Sequence, residues 1–363
     1  MAPVVPHDIA TEILYYVPVK SAGRFRCVSK EWNTLLSSPH FIKIHQHKHN
    51  RNHIIFIGHG DLSLNSLPLV DFEEKTVLTP TNIDVNSRYV KKACIHGSCN
   101  GLVLVSTLNS QKNHSIFVLL NPTTREFTEI SMPDYSYKVT YNIKKRLIMV
   151  GFGYDSVTDD YKILYNYLYS LDCMYVYAYS LRSGTWKHVD SCYNYSFDKM
   201  VFGDTLHGVF VDGFIHCFAK RRSDGLRVIL GFSLADEKFN EVASPDDVDI
   251  GEDGCILADL GGKLAIFLTS DCEVWLMNEY GVQESWNKTF IQGLYGYRIL
   301  LFEPMIYKTG EILIVANSSR ELFIYDTEGR GSLKKIKIDS KNYMANLRSY
   351  VESLVSPKLF KNN

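Results

Sequence analysis

The chain has 363 residues, 45% of them hydrophobic and 22% charged, with a formal net charge of −1. That length allows about two domains, and that apolar fraction a large core. A net charge so near zero excludes a global field for nucleic acid or a membrane surface, and no apolar stretch approaches the roughly 20 residues that span a bilayer. The N-terminus has no basic region followed by an apolar run, which predicts no secretory leader. The eight cysteines, at 27, 94, 99, 173, 192, 217, 255 and 272, form no Cys-x-x-Cys pair. They read as reduced thiols of a cytoplasmic or nuclear protein.

Residues 5–45 come first, VPHDIATEILYYVPVKSAGRFRCVSKEWNTLLSSPHFIKIH. They predict three short helices. Pro6 sets the first start, and Ile9, Ile13, Leu14 and Val17 fall on one helical stripe. Pro18, lacking an amide hydrogen, stops that helix. Ser21 is placed to cap the second, which carries Phe25 and Val28. Ser29 is placed to cap the third, which carries Trp32, Leu35 and Leu36 before Ser37-Ser38-Pro39 ends it. About forty residues bury too little apolar surface to be stable alone. So much Ile, Leu, Phe and Trp needs a partner, either the rest of the chain or another protein. From Lys20 to Arg51 there are seven Lys or Arg and one acid, Glu31. Such a basic face suits an acidic partner, or is simply solvated.

The run P-x-D-I-x-x-E-I-L from Pro6, P-V-K-S from Pro18, R-F-R-C-V-S-K-x-W from Arg24 and S-P-x-F-x-x-x-H from Ser38 resembles the plant F-box family. Val5 and Val17 stand where that family has Leu before its prolines, which keeps the apolar contact. The resemblance implies a docking module for the Skp-type adaptor of an SCF-type cullin–RING ubiquitin ligase. By resemblance the adaptor contacts are Pro6, Ile9, Ile13, Leu14, Val17, Pro18, Val19, Phe25, Val28 and Trp32. It implies no catalytic residue, no cofactor and no metal, and a protein target chosen by the rest of the chain. Adaptor docking and target binding are expected to be separable.

Histidines 40, 45, 47, 49, 53 and 59 follow at irregular spacing. Zinc sites take paired ligands at short fixed spacing, so the run reads as a polar connector into a strand at His53 to Ile57. Beyond it the pattern is strand and turn. Five segments share one shape, an apolar strand, a polar turn, then a Trp, Phe or aliphatic anchor. They are IFVLLNPTTREFTEI from Ile116, VYAYSLRSGTWKHV from Val176, ILGFSLADEKFNEV from Ile229, VWLMNEYGVQESWNKTF from Val274 and LFIYDTEGRGSLKKI from Leu322. LPLVDFEEKTVLTP from Leu67 looks like a degenerate sixth copy. Hairpin signals lie upstream of four, at Asn100-Gly101, Asp212-Gly213, Gly261-Gly262 and Thr309-Gly310.

All-strand units recurring at roughly 40 to 60 residues cannot bury both faces singly, and they stack radially. The expected fold class is therefore α+β multidomain: a helical module over 1–45, a linker and first strand over 46–66, an all-β propeller-like domain over 67–355, and a tail over 356–363. About six blades are expected, five or seven remain open, and a two-sheet β-sandwich is the alternative. Tyr343 to Val355 is expected to close the ring. GSCNGLVLV from Gly97, LLNPTTREF from Leu119, GFGYDSVTDDYKI from Gly151 and VWLMNEYGVQESW from Val274 resemble the plant F-box-associated domain, in its order and spacing. S-locus F-box proteins, which act on pollen–pistil ribonucleases, share this architecture with very many others. A ribonuclease target is thus implied for S-locus membership alone.

Enzyme signatures are missing. Gly151-Phe152-Gly153 lacks the third glycine of a dinucleotide fingerprint and reads as a turn, as does Asp159-Asp160. No Gly-x-Ser-x-Gly and no His-Glu-x-x-His occur. Trp186, Trp275 and Trp286 are expected to anchor blade cores. Asp155 to Asp160 and Asp246 to Asp253 read as acidic surface loops suited to a basic target. The competing reading is a carbohydrate-binding or carbohydrate-acting propeller whose N-terminal helices pack within the chain.

Overall fold

A computed structural model describes residues 6–49, 52–59, 63–69, 77–78, 80–83, 93–109, 114–133, 146–170, 173–189, 194–197, 206–246, 248, 250, 254–268, 270–291, 305–308, 311–315, 321–326, 333–338 and 343–358. It opens with four helices, one more than expected: α1 His7–Tyr15, α2 Val19–Phe25, α3 Lys30–Ser37 and α4 Pro39–Lys48. Pro6 precedes α1, and the Ser29 hydroxyl caps α3 by accepting from the Trp32 amide at 3.1 Å. Ser21, however, lies inside α2. That helix starts directly after Pro18, whose fixed φ favours a helix start.

Ser38-Pro39 ends α3 but also begins α4. The Ser38 hydroxyl accepts from the Phe41 amide at 3.2 Å, and Pro39 occupies the first turn, where its missing N–H leaves nothing unpaired. A stop signal is here equally a start signal. The histidine run is accordingly helix as far as Lys48, not a connector. His45 is buried in it, and its Nε2–H donates to the Val17 carbonyl at 2.8 Å.

Six sheets of four or five strands follow, among the described residues. The inner strands of blades 1 to 6 are Tyr343–Val351, Cys94–Cys99, Arg146–Asp155 (with the short Leu206–His207 added beyond it), Val209–Val211, Cys255–Asp259 and Met305–Lys308. Consecutive inner strands of blades 1 to 5 touch, and blades 5 and 6 share a core of Phe267, Val274, Phe323 and Tyr325. Val77–Leu78 adds in parallel to Leu333–Ile338 at the rim of blade 6. Tyr343–Val351 pairs antiparallel with Asn52–His59, so the last strand closes the ring on the first. The propeller expectation holds, and the sandwich alternative falls.

Local chemistry explains the repeat. Asn100 and Gly101 have φ of 50° and 81°, Asp212 and Gly213 51° and 81°, Gly261 and Gly262 66° and 80°. These are the left-handed values that two-residue hairpins require. Thr309-Gly310 lies outside the described residues. The five repeated segments are the outer hairpins of blades 2 to 6. In three of them Asn121, Ser180 or Ser233 opens the turn, and its side chain accepts from an amide two or three residues on. Arg125, Gly184 and Glu237 then close the turn at positive φ.

Gly151-Phe152-Gly153 is not a turn. It lies within the inner strand of blade 3, where a Cβ on Gly151 would overlap Ile215 and one on Gly153 would overlap Phe210. The two glycines let blades 3 and 4 close up at the axis. Trp186 Nε1 donates to the Ser131 carbonyl at 2.7 Å and Trp286 Nε1 to the Ala243 carbonyl at 2.9 Å, each tying an outer strand to the blade before it. Trp275 is buried in the core shared by blades 4 and 5.

Candidate interaction surfaces

The helices do not stand apart from the ring. Leu14, Val19, Ala22, Leu36, Phe41 and Ile42 belong to one core with Leu104, Phe117 and Phe152 of blades 2 and 3 and with Leu354 and Val355 of the C-terminal segment. That segment is the mortar. Arg26 Nη2 donates to the Leu354 carbonyl at 2.7 Å and to the Leu36 carbonyl at 2.9 Å. Buried Glu352 lies 3.4 Å from Lys20 and 3.5 Å from His53. From the ring side, the Asn121 amide nitrogen donates to the carbonyls of Ser353 at 2.9 Å and Val355 at 2.8 Å, while its oxygen holds its own turn. One fully buried side chain thus fixes both the turn and the tail.

The opposite side of the helices is left in water. Ile9 is 53% exposed, Ile13 57%, Tyr16 65% and Val28 63%. Ile9, Ile13 and Tyr16 follow one another by four and three residues, a single stripe of α1. Of the other sequence-predicted contacts, Pro6 and Pro18 are exposed and Val17, Phe25 and Trp32 half-buried. Leu14 and Val19 are 2% and 1% exposed, inside the chain's own core. These two cannot touch a partner while the helices stay docked. Tyr16 was missed from the sequence, although its spacing from Ile9 and Ile13 carries the signal. Exposed Lys20, Arg24, Lys30, Lys43 and Lys48 outnumber exposed Asp8, Glu12 and Glu31 on the helical surface.

Asp155 to Asp160 does not form a free acidic loop. Asp155 is 2% exposed and 3.1 Å from Lys162, which also donates to the Leu234 carbonyl of blade 4 at 2.5 Å. Burial pushes the Asp155 carboxyl up, but bonds from Thr158, the Val157 amide and Lys162 outweigh it and hold the group below its usual range. Asp159 pairs with Arg182, and Asp160 accepts from Ser180 and the Arg182 amide. This turn also faces α4 across a groove of about 650 Å³ lined by His40, Lys43, His47, Tyr154 and Asp159. Asp155 and Asp160 are buried and structural, Asp159 is exposed and paired, and the turn lies on the helix side of the ring. In Asp246 to Asp253, Asp246 accepts from Gln283 at 2.6 Å; residues 247, 249 and 251–253 lie outside the described ones.

Inner strands run toward the helices, where Gly101 packs against Ser353, and enter from the other end of the axis. The inner strands therefore begin, at Cys94, Arg146, Val209 and Cys255, at the end of the axis remote from the helices. Among the described residues one group of side chains could hold a metal ion, Cys94, His96 and His207.

Residues 5–44 match the profile of the F-box domain, and residues 51–353 that of the F-box associated beta propeller domain. The chain is 28% identical to the F-box protein CPR1 of Arabidopsis thaliana, covering 97% of this chain and 88% of that one. An F-box/kelch-repeat protein of the same plant is 24% identical, over 97% of this chain and 96% of its own. Of solved structures, TolB from Acinetobacter baumannii superposes with a TM-score of 0.50 over 83% of this chain and 66% of that one, at 9% identity, a likeness of fold alone. The helices, the closed ring and a propeller match spanning most of the sequence agree, and the chain belongs to the plant F-box proteins that carry an F-box-associated β-propeller domain.

Proposed function

We propose that this chain is the substrate-recognition subunit of an SCF-type cullin–RING ubiquitin ligase. The helices dock a Skp-type adaptor, through it the cullin and RING subunits, and the ring recruits a protein target for ubiquitination. One observation carries the reading. Ile9 and Ile13 on α1, Tyr16 at its end and Val28 between α2 and α3 stay exposed on a helical module whose other face the ring already holds. Folding leaves this apolar stripe in water, and large exposed apolar groups rimmed by polar ones mark partner sites. The excess of exposed basic over acidic residues on α2, α3 and α4 favours an acidic partner.

In this reading the chain transfers nothing itself. It holds a target at a set distance from the ligase's RING end, which raises the effective concentration of target lysines there. A joint made of a shared core and buried hydrogen bonds serves that purpose better than a loose linker. The compartment it requires is the cytoplasm or nucleus. Among the described residues no helix is long and apolar enough to cross a membrane.

The competing carbohydrate-directed propeller finds its helices packed within the chain, but that packing uses only their inner face. The test is affinity capture from plant cells with the proteasome blocked, comparing the native chain with the Ile9→Asp, Ile13→Asp double variant. The native chain is expected to retain adaptor and cullin, and the variant to lose both while keeping its target. Capture by the native chain without any adaptor would overturn the proposal.

A further inference from the structure

The axis of the ring carries side chains that neither the joint nor the outer stripe uses. Cys94 and His96 lie two apart on the inner strand of blade 2, hence on the same side of it. The register of that strand against Leu102–Asn109 shifts between Ile95 and Gly97, a bulge of the kind that re-aims a side chain. His207 comes from Leu206–His207, a short strand added in parallel inside blade 3. One donor atom from each of the three lies within 4.8 Å of the other two, and the imidazole centroids are 5.4 Å apart.

The state of the ring nitrogens sets this group apart from a chance meeting. His96 is 1% exposed, and its Nε2 is 2.7 Å from the Ser106 hydroxyl, yet its Nδ1 is buried with no hydrogen-bond partner. The Nδ1 of His207 is buried and unpartnered too. A buried polar atom without a partner is destabilising, and two in adjoining side chains call for an occupant. A metal-binding imidazole has one nitrogen tied to a second group and the other open, as His96 does. The Cys94 Sγ sits 3.5 Å from Asn346 Oδ1 and gives up its proton when a cation binds.

We propose that Cys94, His96 and His207 form a binding site for one soft d10 cation, Cu(I) or Zn(II), on the axis of the propeller. Thiolate and imidazole donors select these ions over magnesium or calcium. Arg348 then separates the two. Its positive charge opposes either ion, and opposes the divalent Zn(II) more strongly than Cu(I), which favours Cu(I). Metal–ligand distances of about 2.0–2.3 Å need donors within roughly 4 Å of one another, a spacing that modest side-chain rotations provide. Bound there, the ion would cross-link the start of blade 2 to the approach to blade 4, at the end of the axis remote from the helices.

The test uses the full chain, stripped of metal and titrated without oxygen. Cu(I), and separately Zn(II), compete against a chromogenic chelator of known affinity, with the thermal melt followed in parallel. One equivalent per chain and a raised melting temperature are expected. Cys94→Ser and His207→Asn, both at partly exposed positions, should each weaken binding at least tenfold with circular dichroism and adaptor binding unchanged. Zn(II) binding that is lost in Cys94→Ser supports the site and reverses the order of the two ions. Failure of both ions to compete, or binding undiminished in both variants, overturns it.

Discussion

The inner and outer faces of the N-terminal helices are made of the same residue types and meet opposite fates. Ile13 and Leu14 are neighbours in sequence, yet one is 57% exposed and the other 2%. Inward, α1, α2 and α4 share a core with blades 2 and 3. Outward, an apolar stripe remains unpaired. A segment too short to fold alone is here stabilised by its own chain on one side, which leaves the other side free to be spent on a partner. Substitutions on the two faces should therefore separate cleanly.

The largest effect is expected inside. Phe41 is fully buried, stacked on Tyr15 at 4.8 Å and on His45 at 5.5 Å. Phe41→Ala should cost about 3–5 kcal/mol, read as a lower denaturation midpoint of the whole chain. An unchanged midpoint would mean that the helices are not docked. Next comes Asn121→Ala, which leaves the Ser353 and Val355 carbonyls without their donor. It should cost about 1–3 kcal/mol and speed proteolytic loss of the C-terminal segment; equal cleavage rates would remove Asn121 from the joint.

A pH effect follows. Burial lowers the His45 pKa below 6.5 against the bond to Val17, with His49 adding to the fall. The unfolded chain takes up this proton near pH 6.5, and the folded chain does so only at lower pH. Stability from His45 is thus present above pH 6.5 and is lost as pH falls through the folded value. The melting temperature should drop below pH 6.5, and His45→Gln should flatten that slope. The smallest effect on stability is expected outside. Ile9→Asp with Ile13→Asp should move the melt by no more than about 0.5 kcal/mol while abolishing adaptor binding. Substituting Ile13 together with Leu14 would confound the two faces.

What could be read beforehand was local. Pro6, Ser29 and the Asn-Gly, Asp-Gly and Gly-Gly hairpins act through their own backbone, so their signal survives without the fold. The closing strand was legible because a ring of strands needs one. The rest depended on distant neighbours. Periodicity puts Ile13 and Leu14 on one stripe and cannot say which side meets the ring. Gly151 and Gly153 look like turn glycines until Ile215 and Phe210 stand against them. Asp155 looks solvated until Lys162 is seen beside it. His96 and His207 are far apart in sequence, and only strand pairing brings them together.

Hydrogen–deuterium exchange of the full chain, with and without a purified Skp-type adaptor, tests the two-faced arrangement most directly. Amides of α1 and α2 should become protected on binding, while α4 and residues 352–355 should exchange slowly both in the free chain and in the complex. Faster exchange of α4 and 352–355 on adaptor binding would show that the helices leave the ring to reach their partner, and would contradict a fixed joint.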